Sequence, residues 1–107
     1  MKKFRQGDVF IFQLEQGSED TKKFNDVPNF ILAEGEVTGH KHNLMPLEGG
    51  SVAVKKVNDM QIFVEIKGAG AKVVHDEHET ITLEPGLYQV KIQQEYDPAT
   101  YRRYVAD

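Results

Sequence analysis

The chain has 107 residues, with 13 lysines and arginines against 17 aspartates and glutamates, so its formal charge is −4 at pH 7. This length predicts a single domain over residues 1–107, and the acidic balance disfavours nucleic acids and anionic membranes as partners, because both attract basic surfaces. The absence of cysteine excludes disulfides, thiolate metal sites and cysteine nucleophiles. Four histidines remain as the soft metal ligands of the chain.

The N-terminal segment does not have the features of a targeting sequence. The apolar stretch before Glu15 is shorter than the core of a signal peptide, and no segment approaches the length of a transmembrane helix. These features predict a cytoplasmic protein.

Apolar and polar residues alternate with a period of two along most of the chain, and glycine and proline separate the alternating segments. Residues 8–14 predict the first strand, and the polar residues 15–28 predict a mobile loop. The strands predicted after this loop cover residues 30–37, 51–57, 61–67, 72–75, 80–83 and 87–96. Because no segment shows a sustained helical period, the chain is predicted to be all-β, as a small barrel or a sandwich.

The histidines fall into two short segments, Gly39-His40-Lys41-His42 and His75-Asp76-Glu77-His78. Residues i and i+2 of a strand point to the same face, so His40 and His42 can bind one ion from one side. His75 and His78 need a turn or bulge between them to do the same, and Asp76-Glu77 permits one. Together the two segments predict a divalent metal site built from three or four imidazoles.

Imidazole and carboxylate ligands suit zinc, nickel, iron and manganese alike, so the spacing does not select one metal. A catalytic site would keep one coordination position open for water or dioxygen, whereas a structural site would use all four histidines. Glu36, Glu77 and Glu95 are the candidates for orienting the imidazoles or for proton transfer.

Three other interpretations stay open at this point. The histidines can be ordinary solvated side chains of a non-enzymatic interaction module, or they can line a polar pocket for an anionic small molecule without a metal. Edge strands of a small β-domain also favour pairing of copies into a homo-oligomer.

The sequence resembles a family of small, functionally uncharacterised bacterial proteins from about Ile31 to Asp107. The shared pattern is T-G-H-x-H, then H-E-E-H, then P-G-x-Y-x-V-x-x-Q-x-E-Y, and this chain departs from it at Asp76, where the family usually has glutamate. The resemblance implies no activity. The matching residues are Thr38, Gly39, His40, His42, His75, Glu77, His78, Pro85, Gly86, Tyr88, Val90, Gln93, Glu95 and Tyr96.

A looser resemblance is to cupins, small β-barrels that hold a metal on an H-x-H pair, a glutamate and a later histidine. Gly39-His40-Lys41-His42 is similar to the cupin pair, and Glu48 stands where the glutamate would follow, although later than in cupins. His75 and His78 precede Pro85-Gly86, whereas the last cupin histidine follows such a turn. The cupin resemblance is therefore an analogy of architecture.

Overall fold

Ten β-strands form two antiparallel sheets in the computed structural model, which describes residues 2–34 and 41–93. The strands are β1 (Lys3–Gln6), β2 (Val9–Leu14), β3 (Asn25–Val27), β4 (Phe30–Glu34), β5 (Lys41–Pro46), β6 (Gly50–Asn58), β7 (Gln61–Gly68), β8 (Ala71–His75), β9 (His78–Leu83) and β10 (Gly86–Ile92). A short 3₁₀-helix, Thr21–Lys23, begins at Asp20, whose side chain accepts a hydrogen bond from the backbone N–H of Lys22.

The six-stranded sheet has the order β1-β2-β10-β7-β6-β3, and the four-stranded sheet has the order β4-β5-β8-β9. The two sheets are not closed into a barrel, so of the two predicted architectures the sandwich is the one observed. The all-β prediction is thereby confirmed.

Alternation along the strands, clearest on β7, determines which side chains enter the space between the sheets. On β7, Ile62, Val64 and Ile66 are at most 2% exposed, whereas the residues between them face outward. Leu44 on β5 and Val73 on β8 join the same core from the four-stranded sheet. Each such aliphatic side chain stabilises the fold by roughly 1.5–3 kcal/mol when it is fully buried.

Three strands were not predicted from the sequence pattern, namely β1, β3 and β5. β1 contains lysine and arginine, β3 lies inside the predicted loop 15–28, and β5 contains histidine, asparagine and proline. Each forms because a neighbouring strand supplies its hydrogen bonds: β1 pairs with β2, β3 with β6, and β5 with β4 and β8. Pairing of this kind overrides the weak local preference of the segment.

Some predicted strand ends lie outside the described residues, and others differ from the structure. Residues 35–37 and 94–96, and the whole tail 97–107, lie outside the described residues. β9 begins at His78 and not at Thr80, because His78 pairs with His75 across the turn. Among the described residues, no helix has the length and apolar character needed to cross a membrane.

Candidate histidine site

Three histidines lie side by side at one end of the four-stranded sheet. His42 is on β5, His75 ends β8 and His78 begins β9. Asn43 pairs with Val74, so the next step of this antiparallel register places His42 opposite His75, and His75 pairs directly with His78. The fold therefore brings His42 from the first segment and both histidines of the second into a single row.

The rings of these residues, which we call the histidine cluster (His42, His75 and His78), are close together. Their centroids are 4.3 Å apart for His42 and His75, 4.7 Å for His75 and His78, and 6.0 Å for His42 and His78. His42 and His75 are buried at 4% and 8% exposure, whereas His78 is exposed. The predicted turn between His75 and His78 is present as Asp76-Glu77, with an irregularity in the register beside it.

The turn between β1 and β2 covers the cluster from the other sheet. Gly7 in this turn has a φ of +58°, and a Cβ built on it would lie 2.9 Å from Nε2 of His78 and 3.4 Å from Cε1 of His42. A side chain at this position would contact the imidazoles. The left-handed backbone conformation of residue 7 is also one that glycine adopts readily. The tight approach of the two sheets at this end therefore depends on glycine.

Gln6, just before this turn, is 2% exposed and makes three hydrogen bonds to the four-stranded sheet. Its Nε2 donates to the carbonyls of Val73 and Glu79, at 3.1 and 2.9 Å, which fixes the amide orientation. Its Oε1 lies 2.9 Å from Nδ1 of His42 and can only accept. His42 therefore carries its proton on Nδ1, and Nε2 has the lone pair.

His42 has an unusually low affinity for a second proton. Burial lowers the pKa of His42 to about 4, with further lowering by the charges of His75 and His78 and an opposing effect of Asp8. The imidazole is thus neutral at physiological pH. A neutral imidazole with one protonated and one unprotonated nitrogen is the form that binds metal ions.

His75 has the opposite arrangement. The backbone N–H of Glu77 donates to Nδ1 of His75 at 3.1 Å, so in neutral His75 the proton is on Nε2. The two buried imidazoles thus differ in tautomer: Nε2 of neutral His42 is a hydrogen-bond acceptor, whereas Nε2 of neutral His75 is a donor.

The other residues predicted for the site have different outcomes. His40, Glu36 and Glu95 lie outside the described residues. Glu77 is in the turn beside the cluster, with an exposed side chain. Glu48 is exposed in the turn after β5, at the far end of that strand from His42, so the cupin analogy for this residue is not supported.

Within residues 2–34 and 41–93, no three His, Asp or Glu side chains already converge in a geometry that would hold a metal ion. The close ring centroids do not contradict this, because Nδ1 of His42 and Nδ1 of His75 are each engaged in a hydrogen bond. Proximity of rings is a weaker condition than convergence of lone pairs.

Sequence reasoning missed Gln6 and undervalued Asp8. A lone glutamine at the end of a charged segment has no pattern that distinguishes it, and its burial depends on which strand faces it. Asp8 is the first residue of the predicted strand 8–14, and its charge opposes the lowering of the pKa of His42. The Gly7-Asp8 pair is a turn signal, but it indicates a turn between two strands only once β1 is known.

Together these features define an all-β sandwich in which a partly buried histidine cluster lies between the two sheets. The model of a domain of unknown function, DUF8820, matches residues 5–93, and the chain belongs to this family. The match supports membership of a small uncharacterised family, as the sequence suggested. Comparison with curated proteins and with solved structures finds no match to this chain.

Proposed function

We propose that the protein binds a divalent transition metal ion at the histidine cluster, with Nε2 of His42 as the first ligand. The observation that supports this most directly is the hydrogen bond from Nδ1 of His42 to Gln6, at 2.9 Å. Metal-binding histidines commonly donate their second ring nitrogen to a fixed acceptor, which orients the ring and raises its basicity. Gln6 has this role here, and its own orientation is fixed by two carbonyls.

The low pKa of His42 favours the same proposal. A metal ion competes with protons for the imidazole lone pair, so a histidine that stays neutral well below pH 7 is available for binding over a wide range. The rings of His75 and His78 lie 4.3 and 6.0 Å from that of His42, centroid to centroid, and we expect them to turn towards the same ion when it binds. His40, two residues before His42, is the fourth candidate ligand.

Binding requires a local change at His75. Neutral His75 can bind the metal in two ways. Either Nδ1 binds it and displaces the Glu77 N–H, or Nε2 binds it and its proton moves to Nδ1. In both cases the 3.1 Å hydrogen bond from the Glu77 backbone is lost. The metal-bound state therefore has a specific signature at the backbone amide of Glu77, which a merely adjacent ion would not produce.

Imidazole ligands suit zinc, nickel and iron, and the neighbouring carboxylates of Asp8 and Glu77 extend the range to manganese. With three histidines bound, one position stays open, and the metal would activate a bound water for hydrolytic chemistry. With His40 as a fourth ligand, the site would be closed and would stabilise the fold. Glu36, Glu77 and Glu95 keep their proposed roles in orienting ligands or transferring protons.

The test uses full-length protein purified without a histidine tag, dialysed against zinc, nickel, iron or manganese and then against metal-free buffer. We expect about one ion per chain in the wild type for at least one metal, measured by elemental analysis. The variants His42→Gln, His78→Gln and His40→Gln separate the ligands, and Lys72→Gln on β8 is the matched control that should retain the metal.

The expected pattern is strong loss of metal in His42→Gln and His78→Gln, together with a shift of the Glu77 amide signal when wild-type protein is loaded. Because His78 is exposed, its substitution tests the site even if His42→Gln weakens the fold. Negligible metal in the wild type for all four ions would contradict the proposal. Unchanged metal content in both variants would contradict it as well.

A further inference from the structure

The outer face of the six-stranded sheet carries three phenylalanines that do not belong to the core. Val9 and Ile11 on β2 point inward. Because side chains alternate along a strand, the neighbouring Phe10 and Phe12 point outward. Phe63 on β7 points outward in the same way, between the buried Ile62 and Val64. All three rings are only partly buried, and none belongs to the side chains that pack against the core.

Basic side chains surround these rings. Arg5 pairs with Phe10, and its guanidinium lies 4.9 Å from the centre of that ring. The ammonium of Lys91 lies 5.9 Å from the centre of the Phe12 ring. Lys3 pairs with Phe12, and Lys55 pairs with Phe63, so each phenylalanine has a cation as a direct or diagonal neighbour.

Strand register places these residues in two parallel rows across the sheet. One row contains Arg5, Phe10, Lys91, Gln61 and Asn58, and the other contains Lys3, Phe12, Gln89, Phe63 and Lys55. Neither row contains a carboxylate. Among the described residues, the next row of the same face contains Glu65 and Asp26, on either side of Ala53. Glu65 forms an ion pair with Lys67 at 3.2 Å, and Asp59 in the β6–β7 turn forms one with Lys56 at 2.9 Å.

This aromatic–basic face (Phe10, Phe12 and Phe63 with Lys3, Arg5, Lys55 and Lys91) also borders a groove. The groove has a volume of about 830 Å³ and extends from Phe10 and Phe12 to the exposed Met60 in the β6–β7 turn. Lys91 and Asp59 also line it, and Asp59 is ion-paired with Lys56. The face is therefore not flat along its whole length, and it offers a recess beside the rings.

We propose that the aromatic–basic face binds a short segment of single-stranded nucleic acid. Bases of a single strand stack on exposed aromatic rings whatever their sequence, and basic side chains beside the rings neutralise the phosphates. Phe10 and Phe12 are about 7 Å apart along β2, and Phe12 and Phe63 are separated by two strand spacings, about 10 Å. Such spacing suits separate bases on a sheet surface.

The cations that now cover the rings belong to exposed side chains, Arg5 and Lys91, which can move from ring face to phosphate when a base arrives. An acidic peptide would be attracted by the same charges, but its carboxylate side chains would not stack on the three aromatic rings. The face of a sheet also offers no unpaired backbone groups to which a peptide strand could be added.

The net charge of −4 predicted that nucleic acid would not bind. That expectation rests on the whole chain, whereas association responds to the local potential. On this face four cations lie together without an unpaired carboxylate in the same rows, so the local charge is positive. The overall negative charge should make binding weak and strongly dependent on salt.

The test measures the fluorescence anisotropy of a labelled ten-residue oligothymidylate as the full-length protein is added. With three phosphates neutralised, the slope of log K against log salt should be about −2, so affinity should fall about 60-fold between about 25 mM and about 200 mM salt. Phe12→Leu and Phe63→Leu keep an apolar side chain but remove the ring, and each should weaken binding about five- to tenfold.

Lys91→Gln should weaken binding, whereas Lys72→Gln on the other sheet removes the same charge and should leave the affinity within twofold. Backbone amide shifts on adding the oligonucleotide should map to β2, β7 and β10. Thermal unfolding of each variant checks that it is folded.

Four results would overturn the proposal. Shifts that map elsewhere would place binding outside this face. Equal affinity for a ten-base-pair duplex, or full affinity in both phenylalanine variants, would show that only charge is recognised. Displacement by polyglutamate at equal charge concentration would identify an acidic protein as the occupant.

Discussion

Gln6 and His42 join the two sheets through a hydrogen bond of 2.9 Å between the side-chain oxygen of one and Nδ1 of the other. Gln6 belongs to the six-stranded sheet and His42 to the four-stranded sheet. Since the same glutamine also donates to carbonyls at Val73 and Glu79, one buried side chain contacts three strands of the opposite sheet. It both aligns the sheets and determines the tautomer of His42.

Replacing Gln6 with leucine should lower the free energy of unfolding by about 3 kcal/mol or more. The change leaves the N–H of His42 and two carbonyls without their partner, and each unsatisfied buried polar group costs about 1–3 kcal/mol. Urea denaturation measures the loss. Gln89→Leu, on the outer face of β10, is the matched control and should change stability by less than about 0.5 kcal/mol. Equal effects of the two substitutions would show that the hydrogen bonds of Gln6 do not stabilise the fold.

Acid should destabilise the protein between about pH 6.5 and pH 4 through His42. The pKa of His42 is lowered from 6.5 in the unfolded chain to about 4 in the fold, so in this window the unfolded state binds more protons. Stability conferred by neutral His42 is complete above pH 6.5 and is lost as the pH falls towards 4, by about 3 kcal/mol at most.

The measurement is the free energy of unfolding in urea at a series of pH values, for the wild type and for His42→Gln. The difference between the two slopes isolates His42 from the carboxylates that titrate at the acid end. A wild-type slope in this window that matches the variant's slope would mean that His42 protonates normally in the fold.

A methyl group at Gly7 should disturb the histidine cluster directly. Gly7→Ala forces alanine into a left-handed conformation, at a cost of about 1–2 kcal/mol, and places its Cβ 2.9 Å from Nε2 of His78. The imidazole signals of His78 and His42 should shift in NMR spectra, and metal affinity should fall if the cluster binds metal.

Gly17→Ala provides the control, because Gly17 has a φ of +85° but nothing within 4 Å of the added Cβ. We expect a similar cost in stability from backbone strain and no change in the histidine signals. Undisturbed histidine signals in Gly7→Ala would mean that the cluster is not held by the β1–β2 turn as described.

Removing the hydroxyl of Tyr88 should cost about 1 kcal/mol. Tyr88 is fully buried, and its hydroxyl donates a hydrogen bond of 2.7 Å to the carbonyl of Glu84. Tyr88→Phe keeps the ring and loses this bond, which is worth about 0.5–1.5 kcal/mol. Thermal or urea unfolding measures the change. Lys2→Ala, which removes an exposed ion pair with Glu84, should have a smaller effect, and the reverse order would contradict this interpretation.

The parts of the fold that could be predicted are those in which the local pattern and the tertiary environment agree. β7 alternates along its length and β10 alternates from Tyr88 onward, because one face of each packs against the core. β1, β3 and β5 could not be predicted, because their strand conformation depends on partners that are distant in the chain. Lys3, for example, becomes a strand residue only by pairing with Phe12.

The candidate site divides in the same way. The turn between His75 and His78 could be inferred from their spacing, since a regular strand cannot place residues i and i+3 on one face. The position of Gln6 against His42 could not be inferred, because the two residues are 36 positions apart and belong to different sheets. Only the register of the strands brings them together.

By itself, the sequence determined that this protein is a cysteine-free β-domain in which any transition-metal site must use imidazoles and carboxylates. Composition and period-two alternation are sufficient for that, because they depend only on residue type and local geometry. The tertiary structure decided that His42 meets His75 and His78, and which nitrogen of His42 carries the proton. It also decided that an acidic chain presents a basic, aromatic face, because charge acts through its arrangement in space and not through its sum along the chain.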